Sequence, residues 1–232
     1  MSIDLGNVEN VVAAVSGLGI AAFALVDATK IGRNGGISNS GYRFIENSVR
    51  QLFPNASGRT SLPISSGEKK LLDILHGYWI NGSPLGDQKA IAKSLIKLRL
   101  TEQTAAAFAE ATYVDAKVLE NIAKKMTSGT GLTQEESNTL GRFDLALTAI
   151  LDEGYQRADQ RYRNTAKVLA SFVAVVLALL GGWSISPSNY FYTADMWKAI
   201  LCGLLAIPLA PISKDLTSAL AAGVKLAQVL RK

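Results

Sequence analysis

The chain has 232 residues, 48% of them hydrophobic and 19% charged, with a formal net charge of +5, one cysteine and one histidine. A lone cysteine excludes an intramolecular disulfide, and a lone histidine with no cysteine beside it argues against a zinc site or a histidine-activated nucleophile. The apolar residues gather in three runs, Val11 to Val26, Val168 to Trp183 and Met196 to Leu209, so the chain reads as an all-α integral membrane protein: three transmembrane helices and a cytoplasmic helical domain.

Residues 1–10 carry Asp4 and Glu9 but no Lys or Arg, unlike the basic start of a secretory signal, and are expected to remain as an external tail. Transmembrane helix 1 is expected over 11–29. Its Ala13, Gly17 and Ala21 stand at i, i+4 and i+8, a small-residue face that admits another helix backbone. Asp27 closes this span, either as an interfacial ion pair or as a proton or cation site at an inner mouth. Lys30 and Arg33 follow as membrane-surface cations.

Residues 30–66 read as a loop, a short amphipathic helix and a linker. Gly32, Gly35 and Gly36 follow no strand and precede no Lys-Ser/Thr pair, so they do not form a phosphate loop. Ile45, Val49, Leu52 and Phe53 share a helix face that suits either the membrane surface or the helical domain. Asn55 to Ser66, rich in Ser, Gly and Pro, reads as linker.

The helical domain is expected over 67–166. Ser65 and Glu68 have capping-box spacing ahead of Leu71, Leu72, Ile74 and Leu75. His76 falls near that helix's end, where packing or capping suits it. Asp87 is expected to cap a helix to about Leu100, with Lys89, Lys93, Lys97 and Arg99 on a solvated face. No aromatic residue interleaves those cations, so nucleic acid is not an expected partner. From Thr101 a single helix is expected to about Met126, exposing Asp115, Lys117, Glu120, Lys124 and Lys125.

Thr133 and Glu136 form a second capping box, which opens one continuous helix over about 133–183. About 50 residues at roughly 1.5 Å each make a rod of about 75 Å, enough to enter a membrane and project from it. Leu140, Phe143, Leu147, Ile150, Gly154 and Ala158 make the stripe that meets the domain. Asp144, Asp152, Glu153 and Asp159 are expected to form solvated ion pairs with neighbouring arginines. Arg157, Arg161, Arg163 and Lys167 mark the membrane surface, and transmembrane helix 2 follows over 167–183. Ala166, Ala170, Ala174, Ala178 and Gly182 give it a small residue at every fourth position.

The external loop is expected over 184–195, where Trp183, Tyr190, Phe191, Tyr192 and Trp197 resemble an aromatic belt. Transmembrane helix 3 covers 196–211, with Ala199, Gly203, Ala206 and Ala210 as its packing face and Pro208 and Pro211 kinking its exit. Residues 212–232 form an amphipathic cytoplasmic helix carrying Lys214 and Lys225 at the membrane surface. Cations cluster after span one, before span two and after span three, which places the N-terminus outside and the main domain and C-terminus in the cytoplasm.

This layout resembles a loosely defined type of bacterial inner-membrane protein with an N-terminal span, a helical cytoplasmic domain and a C-terminal span pair. The resemblance lies in Gly41 to Asn47, in Phe143-Asp144 leading through Tyr155 and Tyr162-Arg163 into a span, and in Ala210-Pro211 before Asp215-Leu216. It implies a location and no activity. The expected function is a nonenzymatic membrane anchor or oligomeric scaffold, with an oligomeric channel or transporter subunit as the alternative. Anionic lipid, a second copy and a cytoplasmic protein are the expected partners, and no cofactor or metal is expected.

Overall fold

The computed structural model describes residues 5–32, 35–53, 66–185, 187–188 and 190–211, and among them the regular structure is helical with no strand. The helices are α1 (Leu5–Gly32), α2 (Asn39–Arg50), α3 (Ser66–Ile80), α4 (Leu85–Lys97), α5 (Glu102–Thr112), α6 (Ala116–Ser128), α7 (Gln134–Ile185) and α8 (Ala194–Pro211). They divide into two compact units, one drawn from Met1–Ile37 with Arg163–Lys232 and the other from Ser38–Tyr162.

In the 38–162 unit each helix buries one apolar stripe, as a 3.6-residue period requires. α2 supplies Ile45 and Val49, with Leu52 just beyond it; α3 supplies Leu71, Leu75 and Trp79; α4 supplies Ala92 and Ile96. α5 and α6 add Phe108, Leu119 and Ile122, and α7 closes the core with Phe143, Leu147, Leu151, Tyr155 and Ala158. Burying a residue such as Leu147 is worth about 1.5–3 kcal/mol, which is what holds α7 to the shorter helices. α2 thus packs on the helical unit, the second of its two expected placements. Two glycines let it approach α7: a Cβ on Gly41 would overlap the Ala158 carbonyl, and one on Gly154 would overlap Ser48.

The helix ends follow local hydrogen bonding. Glu136 accepts from the Thr133 backbone N–H at 2.7 Å, and Thr133 Oγ1 accepts from the Glu136 N–H at 3.3 Å, so the box expected ahead of the long helix is present. α7 then runs 52 residues to Ile185. Thr101 and Thr104 cap α5 reciprocally. The single helix expected from Thr101 to Met126 is instead two helices. Tyr113, in the left-handed region at φ 56°, ends α5, and Asp115 starts α6 by accepting from the Val118 N–H at 2.9 Å. An aspartate side chain can hydrogen-bond the first N–H groups of a helix, which favours starting a new helix at Asp115 over continuing the old one through it. Asp87 does not cap α4: Pro84 is at the N-cap, and Asp87 stands inside the first turn. Ser65 lies outside the described residues, as do most of 55–66 and all of 212–232.

The other unit holds α1, the end of α7 and α8. Each contains a stretch long and apolar enough to cross a membrane: Val11–Thr29, a window of α7, and Ala194–Pro211. Its core is formed by Val15, Ala22 and Val26 of α1, Ala170 and Ala174 of α7, and Ala206 and Ile207 of α8.

Candidate functional site

Among the described residues, the specific side-chain geometry lies in helix contacts and charged seams. The contacts of the apolar unit are made by small residues. A Cβ on Gly19 would overlap the Ala206 carbonyl and come within 3.1 Å of Ala210 Cβ, so the α1 backbone lies against the α8 backbone there. One turn away, the buried Ser16 hydroxyl donates to the Leu209 carbonyl at 3.3 Å. Such a bond satisfies a backbone carbonyl of the neighbouring helix in an apolar setting. On α8, Gly203 faces the α7 backbone, and a Cβ there would sit 2.5 Å from Val175 Cα.

The predicted packing residues separate by face. Ala170 and Ala174 are fully buried and Ala178 and Ala199 are half-buried. Gly182 lies under the Tyr190 ring, whose Cζ is 2.7 Å from where a Cβ would stand. Ala13, Gly17 and Ala21 are exposed, and nothing lies within 4 Å of a Cβ on Gly17. Within the chain, α1 therefore makes its close approach through Ser16, Gly19 and Ala22. The sequence offers two small stripes on α1, and nothing in their composition distinguishes the one turned towards α7 and α8.

Asp27, in the last two turns of α1, is exposed and not free of partners. Arg157 is exposed and bonded to Glu153 at 2.7 Å, Arg161 and Lys167 are exposed, and Arg163 is engaged. Arg33, Lys214, Lys225 and the side chain of Lys30 lie outside the described residues.

The lysine face of α4 corrects the solvated reading. Lys89 meets Asp152 of α7 at 2.5 Å, Lys93 meets Asp144 at 2.5 Å, and Lys97 pairs with Asp144 as well. Lys93 also reaches Thr148 Oγ1 at 3.1 Å, while the Thr148 hydroxyl donates to the Asp144 carbonyl at 2.7 Å. Asp144 and Asp152 thus pair with lysines from another helix rather than with arginines of their own. Partial burial pushes the Asp144 carboxyl up, but hydrogen bonds from Lys93 and Lys97 and their charge more than offset this, holding it below the usual carboxylate range. A second cross-link joins Lys125 of α6 to Glu136 at 2.8 Å. The Lys125 hydrogen bond, followed by that of the Thr133 backbone, lowers the Glu136 carboxyl.

The remaining polar groups hold helices together. His76 Nε2 lies 2.8 Å from Asn39 Oδ1, with the Tyr42 ring centred 4.5 Å away, so it ties α3 to the start of α2. The Trp79 indole donates to the Ser38 carbonyl at 2.8 Å, and the Tyr42 hydroxyl to the Leu72 carbonyl at 2.5 Å. Burial raises Tyr42 and Tyr155 well above the ordinary tyrosine value, so neither phenol can act as a base near neutrality. No group of three or more His, Cys, Asp or Glu among the described residues is arranged to hold a metal ion. No family model matches this chain, and neither a curated protein nor a solved structure does so.

Proposed function

We propose that the chain is a nonenzymatic membrane anchor and oligomeric scaffold, inserted by its three apolar helices in a bacterial inner membrane and presenting the 38–162 unit to protein partners. The supporting observation is a contrast between the exposed faces of the apolar helices. α7 exposes Val168, Phe172, Val176 and Leu180, and α8 exposes Trp197, Leu201, Leu204 and Leu205. Such large side chains would be costly in water and suit lipid tails. α1 also exposes Val11, Ile20 and Leu25, but beside them runs an exposed seam of Ala14, Gly17, Ala21, Ala24 and Ala28, spaced 3-4-3-4, which the other two lack. Lipid is contacted as well by large side chains as by small ones, whereas a second helix gains from a small seam.

In this reading α1 carries the contact between copies, and the cations from Arg157 to Lys167 meet anionic lipid, with the 38–162 unit in the cytoplasm. The channel alternative draws less support. Asp27 is engaged, and the hydroxyls of Ser16 and Ser171 are committed to the carbonyls of Leu209 and Lys167. The test is native mass spectrometry of the full chain in mild detergent, with Gly17→Leu and Ala21→Leu introduced together. The reading expects a smaller assembly with unchanged helicity. An unchanged subunit number in the double variant, or a parent that is already monomeric, removes it.

A further inference from the structure

The chain leaves the 38–162 unit towards the apolar helices at Ser38 and at Tyr162, and both exits lie at one end of that unit. α2 and α3 run antiparallel: Arg50 stands beside Glu68, the Tyr42 hydroxyl donates to the Leu72 carbonyl and His76 meets Asn39, so the end of α3 lies against the start of α2. The buried Trp79, in the last turn of α3, touches both exits. Its indole donates to the Ser38 carbonyl at 2.8 Å, and its ring centre lies 6.3 Å from that of Tyr162 on α7. Beyond Tyr162 α7 continues as the same helix, and its apolar run starts at Val168, about 9 Å further along the axis.

What this end exposes is uncharged. From Gly77 to Gly86 the chain has no charged residue. Tyr78 is 39% exposed, and after it Asn81, Gly82, Pro84 and Gly86 are exposed. The turn is fixed by its backbone: the Ser83 N–H donates to the Tyr78 carbonyl at 3.3 Å, and Gly82 adopts φ 67°. A tyrosine beside an uncharged turn suits the headgroup layer, about 5–7 Å thick on each side of a bilayer, because its ring leaves water, its hydroxyl keeps polar partners and no charge is desolvated. Arg161, one residue before Tyr162 and exposed, adds a cation that anionic headgroups attract. The 95% exposed Tyr113 is placed differently. It stands with Gln134 to Leu145 at the start of α7, about 25 Å or more along that helix from Tyr162.

We propose that the end of α3 and the α3–α4 turn, Tyr78 with Asn81 to Pro84, rest in the headgroup layer of the membrane that the chain spans. The inference rests on the proposed insertion. Lipid is the occupant because the chain runs to its membrane helices from two points beside Trp79, so even a weak contact with headgroups forms at high effective concentration.

The test uses the full chain with Cys202→Ala in vesicles of phosphatidylethanolamine and phosphatidylglycerol, with an environment-sensitive fluorophore on one introduced cysteine. Nitroxides are placed on the lipid headgroup or at mid-chain. The Asn81→Cys probe should lose about half its emission or more to the headgroup nitroxide, and the Tyr113→Cys probe less than about a tenth. Val176→Cys, on the exposed apolar face of α7, reports insertion and should be quenched from mid-chain. Tyr78→Glu added to the Asn81→Cys chain should cut the headgroup quenching about twofold or more, since a carboxylate resists leaving water, and Tyr78→Trp should preserve it. With Val176→Cys quenched, an Asn81→Cys probe quenched no more than that at Tyr113, or quenched equally with Tyr78→Glu, overturns the contact and leaves the insertion standing. An unquenched Val176→Cys probe removes the insertion and this inference with it.

Discussion

Replacing Gly41 with alanine tests how α2 is held on α7. A Cβ at this position would overlap the Ala158 carbonyl oxygen and stand 2.8 Å from Trp79 Cζ2. The carbonyl is α7 backbone and cannot step aside, and Trp79 is held by its 2.8 Å bond to the Ser38 carbonyl. Overpacking against such a wall costs about 3 kcal/mol, the upper part of the usual range. Alanine returns about 1 kcal/mol through its better helix propensity. The net loss of about 2 kcal/mol lowers the melting temperature of a unit of this size by about 8 °C. Gly77 in α3 is the control: it is exposed with nothing within 4 Å of a Cβ. There the same change should raise stability by about 0.5–1 kcal/mol. The assay is a near-ultraviolet circular dichroism melt of full-length protein in detergent, which follows the packing of the core aromatics rather than helix content. A Gly41→Ala chain that melts at or above the parent temperature would refute the close α2–α7 contact.

Three further outcomes follow from the same contacts. Asp144→Asn should cost about 1–2 kcal/mol at pH 7, because the pairs with Lys93 and Lys97 are half-exposed. Its folded carboxyl sits below the usual value. The stability it adds is therefore present above the unfolded value of about 3.9 and fades as pH falls through the lower folded value. A parent-minus-variant melting difference that persisted undiminished at about pH 2 would contradict this. Gly19→Leu should disrupt the contact between α1 and α8, measured as faster amide exchange in Val15 to Val26, whereas Gly17→Leu, which leaves that contact in place, should raise exchange there far less. If both variants exchange alike, the assignment of faces on α1 is wrong. In a Cys202→Ala chain, a cysteine at Ser188 should react with an impermeant maleimide on intact cells and one at Ser128 should not; the reverse pattern would invert the proposed topology.

The helices of the 38–162 unit were largely legible because a water-facing helix must alternate apolar and polar residues with its own period. The stripe from Phe143 to Ala158 and the Thr133–Glu136 box could be read directly and are present. No Gly or Pro marks the break at Tyr113; its signal in the sequence is Asp115, a residue type as common on an exposed helix face as at the N-cap it makes for α6. The lysines of α4 and the carboxylates of α7 each form a regular helix face with no local sign of its partner. Their pairing joins Lys89 to Asp152 and Lys93 to Asp144, residues more than fifty positions apart.

The amino-acid sequence by itself determined that the chain is helical, that three stretches are long and apolar enough to cross a membrane, and where α7 begins and ends. Hydrophobic period, capping residues and run length act locally, so they survive without any knowledge of neighbours. Tertiary structure alone decided which small face of α1 turns inward, with Gly19 against Ala206 while Gly17 faces out. In an apolar run the contrast between buried and exposed residues disappears, and only the shape of the facing helix selects one face over another.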